Sequence, residues 1–234
     1  VEGTLVAEEG KYLPEIKKCD ISSVKGSVIV KDFSKEKFKM NLKSNKVNVI
    51  KILPGGVVTA KDTAEIELDA NGEFVRNPEV DLVKVAVVER HQGTGNVACG
   101  FLKGYGIKEG AVALSVAHDS HNIIVVGVND EEMEFAVNSL IEQEGGIVLV
   151  KEGKVIESMP MPIAGLMSDQ SGEWVDQKLT DIHEKAYEEL GICGDVEPVM
   201  TLCFMSLAVI PEIKLTDMGL FDVTTFSFIP VEVE

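Results

Sequence analysis

The stretch AVALSVAHDSHNIIVVGVNDEEM, residues 111–133, sets two apolar runs, AVALSVA and IIVVGV, on either side of a polar knot, AHDSHN. The knot holds two of the four histidines of the chain, His118 and His121, with Asp119 between them and Ser120 and Asn122 beside them. It reads as a tight bend after a strand. The segment that follows, DEEMEFAVNSLIEQEGG, reads as a helix: Asn129 or Asp130 can cap its start, and acids crowd its first turn. Met133, Val137, Leu140 and Ile141 give it one apolar face, and Gly145-Gly146 stops it.

Upstream, DLVKVAVVER is a continuous apolar strand that ends in Glu89, Arg90 and His91, and the glycine-rich segment QGTGNVACGFLKGYGIKEG follows it. Before that strand, VNVIKIL, the Pro54-Gly55-Gly56 turn, VVTA and AEIELDANGEFV predict a β meander over residues 47–76, with Asn71-Gly72 as a hairpin signal. Residues 14–46 are the least regular part. There the alternation in FKMNL is compatible with an exposed strand on a solvated edge.

Downstream, IVLVKEGKVIESM predicts a hairpin around Glu152-Gly153, and PMPIAGLMSD a Pro-rich connection. SGEWVDQKLTDIHEKAYEELG predicts a second amphipathic helix, with Trp174, Leu179, Ile182, Ala186 and Leu190 near one face and Gly191 at its stop. The tail from Met200 reads as buried loop and strand. The sum is an α+β fold, an antiparallel or mixed β-sheet flanked by two main helices.

The chain has 234 residues, 45% of them hydrophobic, enough for one large domain or a compact domain with a smaller appendage. Its net charge of -17 argues against a nucleic-acid partner, which would need a basic face. Cys19, Cys99, Cys193 and Cys203 are scattered without any CxxC pair, which points to reduced thiols and a cytoplasmic location. No apolar segment reaches the roughly 20 residues needed to cross a bilayer, and the acidic start lacks the basic region of a signal peptide. The opening GTLVAEEGKYL lacks an initiator Met and reads at once as strand, turn and strand. The expectation is a chain that begins inside a fold, as a fragment, a processed product or a shortened version would.

Neither the GTG at residues 93–95 nor the GYG at 104–106 completes a phosphate loop, and HExxH and GxSxG are both missing. The knot is the better candidate. Two imidazoles three residues apart with a carboxylate between them can ligate a divalent metal, shuttle protons or grip the ring nitrogens of a heterocycle. On spacing alone, histidines hydrogen-bonded inside a turn are as good a reading. Glu89, Arg90 and His91 also sit at the end of an apolar strand, so two histidine-bearing strand ends are expected to converge. His183, in the middle of a helix, reads as a surface residue.

Taken together, VAVVERHQGTGN and GFLKGYGIKEGAVALSVAHDSHNIIVVGVNDEEM are similar to the C-terminal region of the bacterial and archaeal adenine deaminases of the amidohydrolase superfamily. IAGLMSD and VIPEIKLTDMGLFDV resemble it too, so that the likeness covers most of residues 47–234. It implies hydrolytic deamination of adenine to hypoxanthine and ammonia at a divalent metal centre of manganese, iron or zinc, in an N-terminal barrel whose ligands begin with an HxH motif. This sequence has no HxH, so the chain alone is not expected to deaminate adenine. VEGTLVAEEGKYLP looks like the hairpin that follows the barrel. Residues 1–60 are accordingly expected to be part of a small β-sandwich, and residues 61–234 the family's C-terminal α+β domain.

On this resemblance His91, His118, Asp119 and His121 are expected to face the barrel mouth, where they would bind purine, close the site against water or, for His118 and His121, hold a further metal. Glu89, Arg90, Ser120 and Asn122 would orient them. The expected partners are the barrel, in the same polypeptide or as a separate chain, adenine, and further copies of the chain in a homo-oligomer. The rival expectation is a non-catalytic domain used for dimerisation or scaffolding.

Overall fold

A computed structural model describes residues 1–233. The apolar runs become strands of an eight-stranded sheet. In chain order the small hairpin of β1 (Ala7–Glu8) and β2 (Lys11–Tyr12) comes first, followed by β3 (Lys46–Ile52) and β4 (Thr59–Glu65). A second small hairpin, β5 (Glu67–Leu68) and β6 (Phe74–Val75), then leads to β7 (Leu82–Val88), β8 (Val97–Lys103), β9 (Ala111–Leu114) and β10 (Ile123–Gly127). Helix α1 (Asp130–Glu142) follows, then β11 (Gly146–Lys151), β12 (Lys154–Pro160), α2 (Gly172–Glu188) and the short α3 (Pro198–Cys203). The chain closes with β13 (Ile213–Thr216), β14 (Gly219–Asp222) and β15 (Ser227–Phe228), a three-stranded sheet of their own.

The large sheet runs β12-β11-β9-β10-β7-β8-β3-β4, antiparallel at every pairing except β3 with β8, which is parallel. The sheet is therefore mixed. Its central strands β7, β9, β10 and β11 read as nearly unbroken apolar runs because both of their faces are covered. Val83, Val85 and Val87 of β7, with Ile124 and Val126 of β10, pack on one face under Ile182, Ala186 and Leu190 from α2 and its end, and under Ile213, Leu215 and Leu220 of the small sheet. Ala86 and Val88, with Ile123 and Val125, face the other way, under Met133, Ala136, Val137 and Leu140 of α1. The period-2 alternation of a strand thus feeds two cores at once.

The predicted cap of α1 holds, and α2 is capped as well. Asn129 accepts from the Glu132 amide at the start of α1 at 2.8 Å, and Ser171 accepts from Trp174 at the start of α2 at 3.3 Å. The hairpin at Asn71-Gly72 forms, with Asp69 accepting from the Asn71 and Glu73 amides at 2.7 and 2.9 Å. The strand expected over FKMNL does not. Lys35–Phe38 is a turn of 3-10 helix, and Phe38 is completely buried against α1's side of the sheet instead of lying on a solvated edge. The tail holds more than loop and strand, since Pro198–Cys203 is helical with Glu197 capping its Met200 amide. The boundary expected at residue 60 falls within β4, which pairs along its whole length with β3.

Candidate active-site rim

Register brings the two polar strand ends together. β10 runs antiparallel to β7, with Ile123 opposite Val88, so the residues that precede β10 and those that follow β7 lie at one end of the sheet. There His91 donates from Nε2 to the carbonyl of Ser120 at 2.7 Å. The expected convergence of the two histidine-bearing segments is what the structure has.

Three buried side chains shape this end. Glu89 accepts from the His91, Gln92 and Thr94 amides at 2.5, 2.8 and 2.9 Å and from the Thr94 hydroxyl at 3.0 Å. Burial pushes its carboxyl up, but the amides of Gln92, Thr94 and His91 and that hydroxyl outweigh it and bring the pKa down to about 2. Glu89 is therefore an ionised staple for its own loop. Asn122 accepts from the Arg90 amide at 3.3 Å and donates to Asp217 at 3.2 Å. Arg90, 1% exposed, donates from Nε to the His121 carbonyl at 2.5 Å and from Nη2 to the Ala164 carbonyl at 3.2 Å. Its Nη1 is enclosed and has no partner. Burial lowers its pKa, yet a guanidinium stays charged at any physiological pH.

The imidazoles lie outside these supports. His118 and His121 stack edge to face with ring centroids 5.3 Å apart, and His118 also packs on Phe204 at 4.8 Å. The His118 amide donates to the Cys203 carbonyl at 2.8 Å, which seats the knot on the end of α3. His121 has φ +53°, a left-handed conformation uncommon for a residue other than glycine. Burial lowers its pKa, and His118 and Arg90 push the same way while Asp119 opposes them. Its ring is thus biased toward the neutral form. Asp119 and Ser120 are exposed, and Ser120 serves through its backbone carbonyl.

Among the described residues no three His, Cys, Asp or Glu side chains are gathered closely enough to hold a metal ion. His118 and His121 are neighbours without a third donor. His183 is half-buried, and its Nε2 meets the Glu197 carboxylate at the start of α3. Two participants escaped the sequence reading. Asp217 reaches the knot from the β13–β14 turn, and Ala164-Gly165 lies against Arg90 so closely that a Cβ on Gly165 would come within 2.8 Å of Nη1. Their only signal was that both fall in segments, VIPEIKLTDMGLFDV and IAGLMSD, that carry the resemblance.

A mixed sheet sheathed on both faces, with three histidines gathered where two of its strands end, defines an α+β domain that carries its polar chemistry on one rim. The chain belongs to the adenine deaminase C-terminal domain family, whose sequence model matches residues 56–227. It is 67% identical over 232 residues to adenine deaminase 2 of Desulfotalea psychrophila, covering 99% of this chain and 40% of that protein. It is 47% identical over 232 residues to the adenine deaminase of Ligilactobacillus salivarius, again 99% of this chain and 40% of the relative. Adenine deaminase 2 of Carboxydothermus hydrogenoformans is 45% identical over 230 residues, 98% of this chain and 40% of the relative. The chain thus spans about 40% of the length of these curated relatives.

Proposed function

We propose that this chain is the C-terminal part of an enzyme that converts adenine and water to hypoxanthine and ammonia, and that its histidine rim lines or closes the active site supplied by a preceding amidohydrolase barrel. The observation that carries the reading is the gathering of His91, His118 and His121 on one edge while Glu89, Arg90 and Asn122 beneath them are consumed in holding the loops. Rigid supports under idle imidazoles are what a contributed binding surface needs.

The residues present do not fit a water-activating metal centre, because His118 and His121 lack a third donor. The divalent metal, manganese, iron or zinc, is assigned to the barrel, where it would activate the attacking water. In this chain His91, His118, Asp119 and His121 contact purine or exclude water, and Glu89, Arg90, Ser120 and Asn122 hold them in place.

Four free cysteines and a charge of -17 support a cytoplasmic protein that does not bind nucleic acid, and no helix among the described residues is long and apolar enough to cross a membrane. A second reading, self-association through this domain, is favoured by Met218, Phe226 and Phe228, which are 67%, 74% and 56% exposed on the small sheet. Sedimentation of the chain against a Phe226→Ser, Phe228→Ser variant tests that reading, and identical masses for the two would exclude this surface as the contact.

The main reading is tested by measuring adenine deamination by the chain alone, by the barrel alone, and by the two together. Activity is expected only together, with loss in His118→Ala and His121→Ala. A pair that stays inactive, or variants that work as well as the parent, would sink the active-site role.

A further inference from the structure

His91 and His121 turn different atoms outward. A carbonyl oxygen has no proton, so His91 must donate from Nε2 to Ser120. A neutral His91 then carries its lone pair on Nδ1, for which no hydrogen bond is found among the described residues, and the residue is exposed. His121 is the reverse. Its Nδ1 is enclosed without a partner, in the cluster where Nη1 of Arg90 is also enclosed and unpaired, and Nε of that same guanidinium grips the His121 carbonyl. A proton on Nδ1 would add a second unpaired buried donor beside a fixed cation. The neutral ring therefore keeps its proton on Nε2, which has no partner in the protein and is open to solvent.

We propose that His91 and His121 form a matched acceptor and donor that reads the amino group of a 6-aminopurine and the ring nitrogen beside it, N1 or N7, with the amino group donating to Nδ1 of His91 and that nitrogen accepting from Nε2–H of His121. This rests on the reading that the rim faces the adenine site, and it names what the rim recognises. The lowered pKa of His121 supports the neutral form that the pairing needs. The pairing also separates substrate from product. Replacing the amino group by an oxo group puts a lone pair against the lone pair of His91, so hypoxanthine is repelled where adenine is held. If the ring nitrogen is N1, the product carries a proton there and opposes His121 as well.

The test uses the complete enzyme, barrel and this chain together, with 1-deazaadenine, 7-deazaadenine and 3-deazaadenine as competitive inhibitors of adenine turnover. For the parent enzyme, one of the 1-deaza and 7-deaza compounds is expected to bind roughly 3- to 10-fold more weakly than the 3-deaza compound, the cost of one neutral hydrogen bond. His121→Ala is expected to abolish that difference and His121→Gln, which keeps an N–H donor, to restore part of it. Loss of affinity by the same factor for all three compounds in His121→Ala overturns the donor assignment while leaving the rim at the site. No change in any inhibition constant or in adenine turnover overturns the rim reading itself.

A readout independent of activity is the imidazole nitrogen spectrum of the 15N-histidine-labelled enzyme, assigned by loss of signals in His91→Gln and His121→Gln. Both rings are expected as neutral Nε2–H tautomers. A His121 protonated on Nδ1 overturns the proposal.

Discussion

Nε of Arg90 lies 2.5 Å from the carbonyl oxygen of His121, so a guanidinium 1% exposed and without a carboxylate partner fixes the residue whose backbone enters the left-handed region. Its Nη2 bonds Ala164 on another loop, so one rigid planar fork serves carbonyls from two loops. Arg90→Lys is expected to lower stability by about 1–3 kcal/mol, because one ammonium leaves a buried carbonyl unpaired. Denaturant unfolding checks this, and a midpoint unmoved at unchanged slope would show that the fork is dispensable.

Glu89 makes a pH-dependent contribution whose sign follows from its lowered pKa. Its folded-state value of about 2 lies below the ordinary carboxyl value of 4.5, so its stabilisation is complete above about pH 4.5 and drains away as pH falls from there toward 2. Glu89→Gln is expected to cost about 1–3 kcal/mol at pH 7, since an amide cannot accept all four bonds. The gap between parent and variant should close between pH 5 and pH 2. Unfolding curves that keep a constant gap over that range would contradict the assignment.

Lys214 is a buried charge that costs stability where the Glu89 carboxylate adds it. It is fully buried on β13, its ammonium donates only to the Val57 carbonyl at 2.9 Å, and burial lowers its pKa from 10.5 to about 8. The unfolded chain therefore binds the extra proton between pH 8 and pH 10.5, and the native state gains stability as pH rises through that window. Relative to Lys214→Met, the parent should improve steadily from pH 8 to pH 10.5 in urea unfolding. A pH-independent difference would mean the amine is not desolvated in the native state.

Phe38 decides between a solvated edge and a core position. It is 0% exposed and meets Phe33 edge to face at 5.4 Å. Phe38→Ala is expected to cost about 3–5 kcal/mol, as for other buried aromatics. A thermal or urea midpoint within experimental error of the parent would return Phe38 to the surface.

The strands and the two long helices were legible because each segment carried its own signal: apolar runs bounded by turn residues, or an apolar stripe with a cap. FKMNL was misread since two or three alternating residues fit a strand and a 3-10 turn equally, and only α1 lying above decides that Phe38 goes inward. Helix α3 has 6 residues, too few to show a period. In the rim, His91 and His118–Asn122 could be paired in advance because each abuts a long apolar run. Asp217 and Gly165 could not. They reach the rim, Asp217 at Asn122 and Gly165 at Arg90, from turns 95 and 43 residues beyond Asn122, and chain separation of that kind is settled by tertiary packing, with no local pattern to announce it.

A sheet sheathed on both sides has no free face on which to evolve a site. Leu82–Val88 can change only within the volumes that two cores allow, whereas Glu89–Asn96 and His118–Asn122 hang from the ends of the strands and belong to neither. The rim is in effect a replaceable tool on a fixed handle. Grafting those two loops together, with the turns that carry Asp217 and Gly165, should move the histidine arrangement intact onto another member of the fold, while either loop moved alone should arrive without its supports.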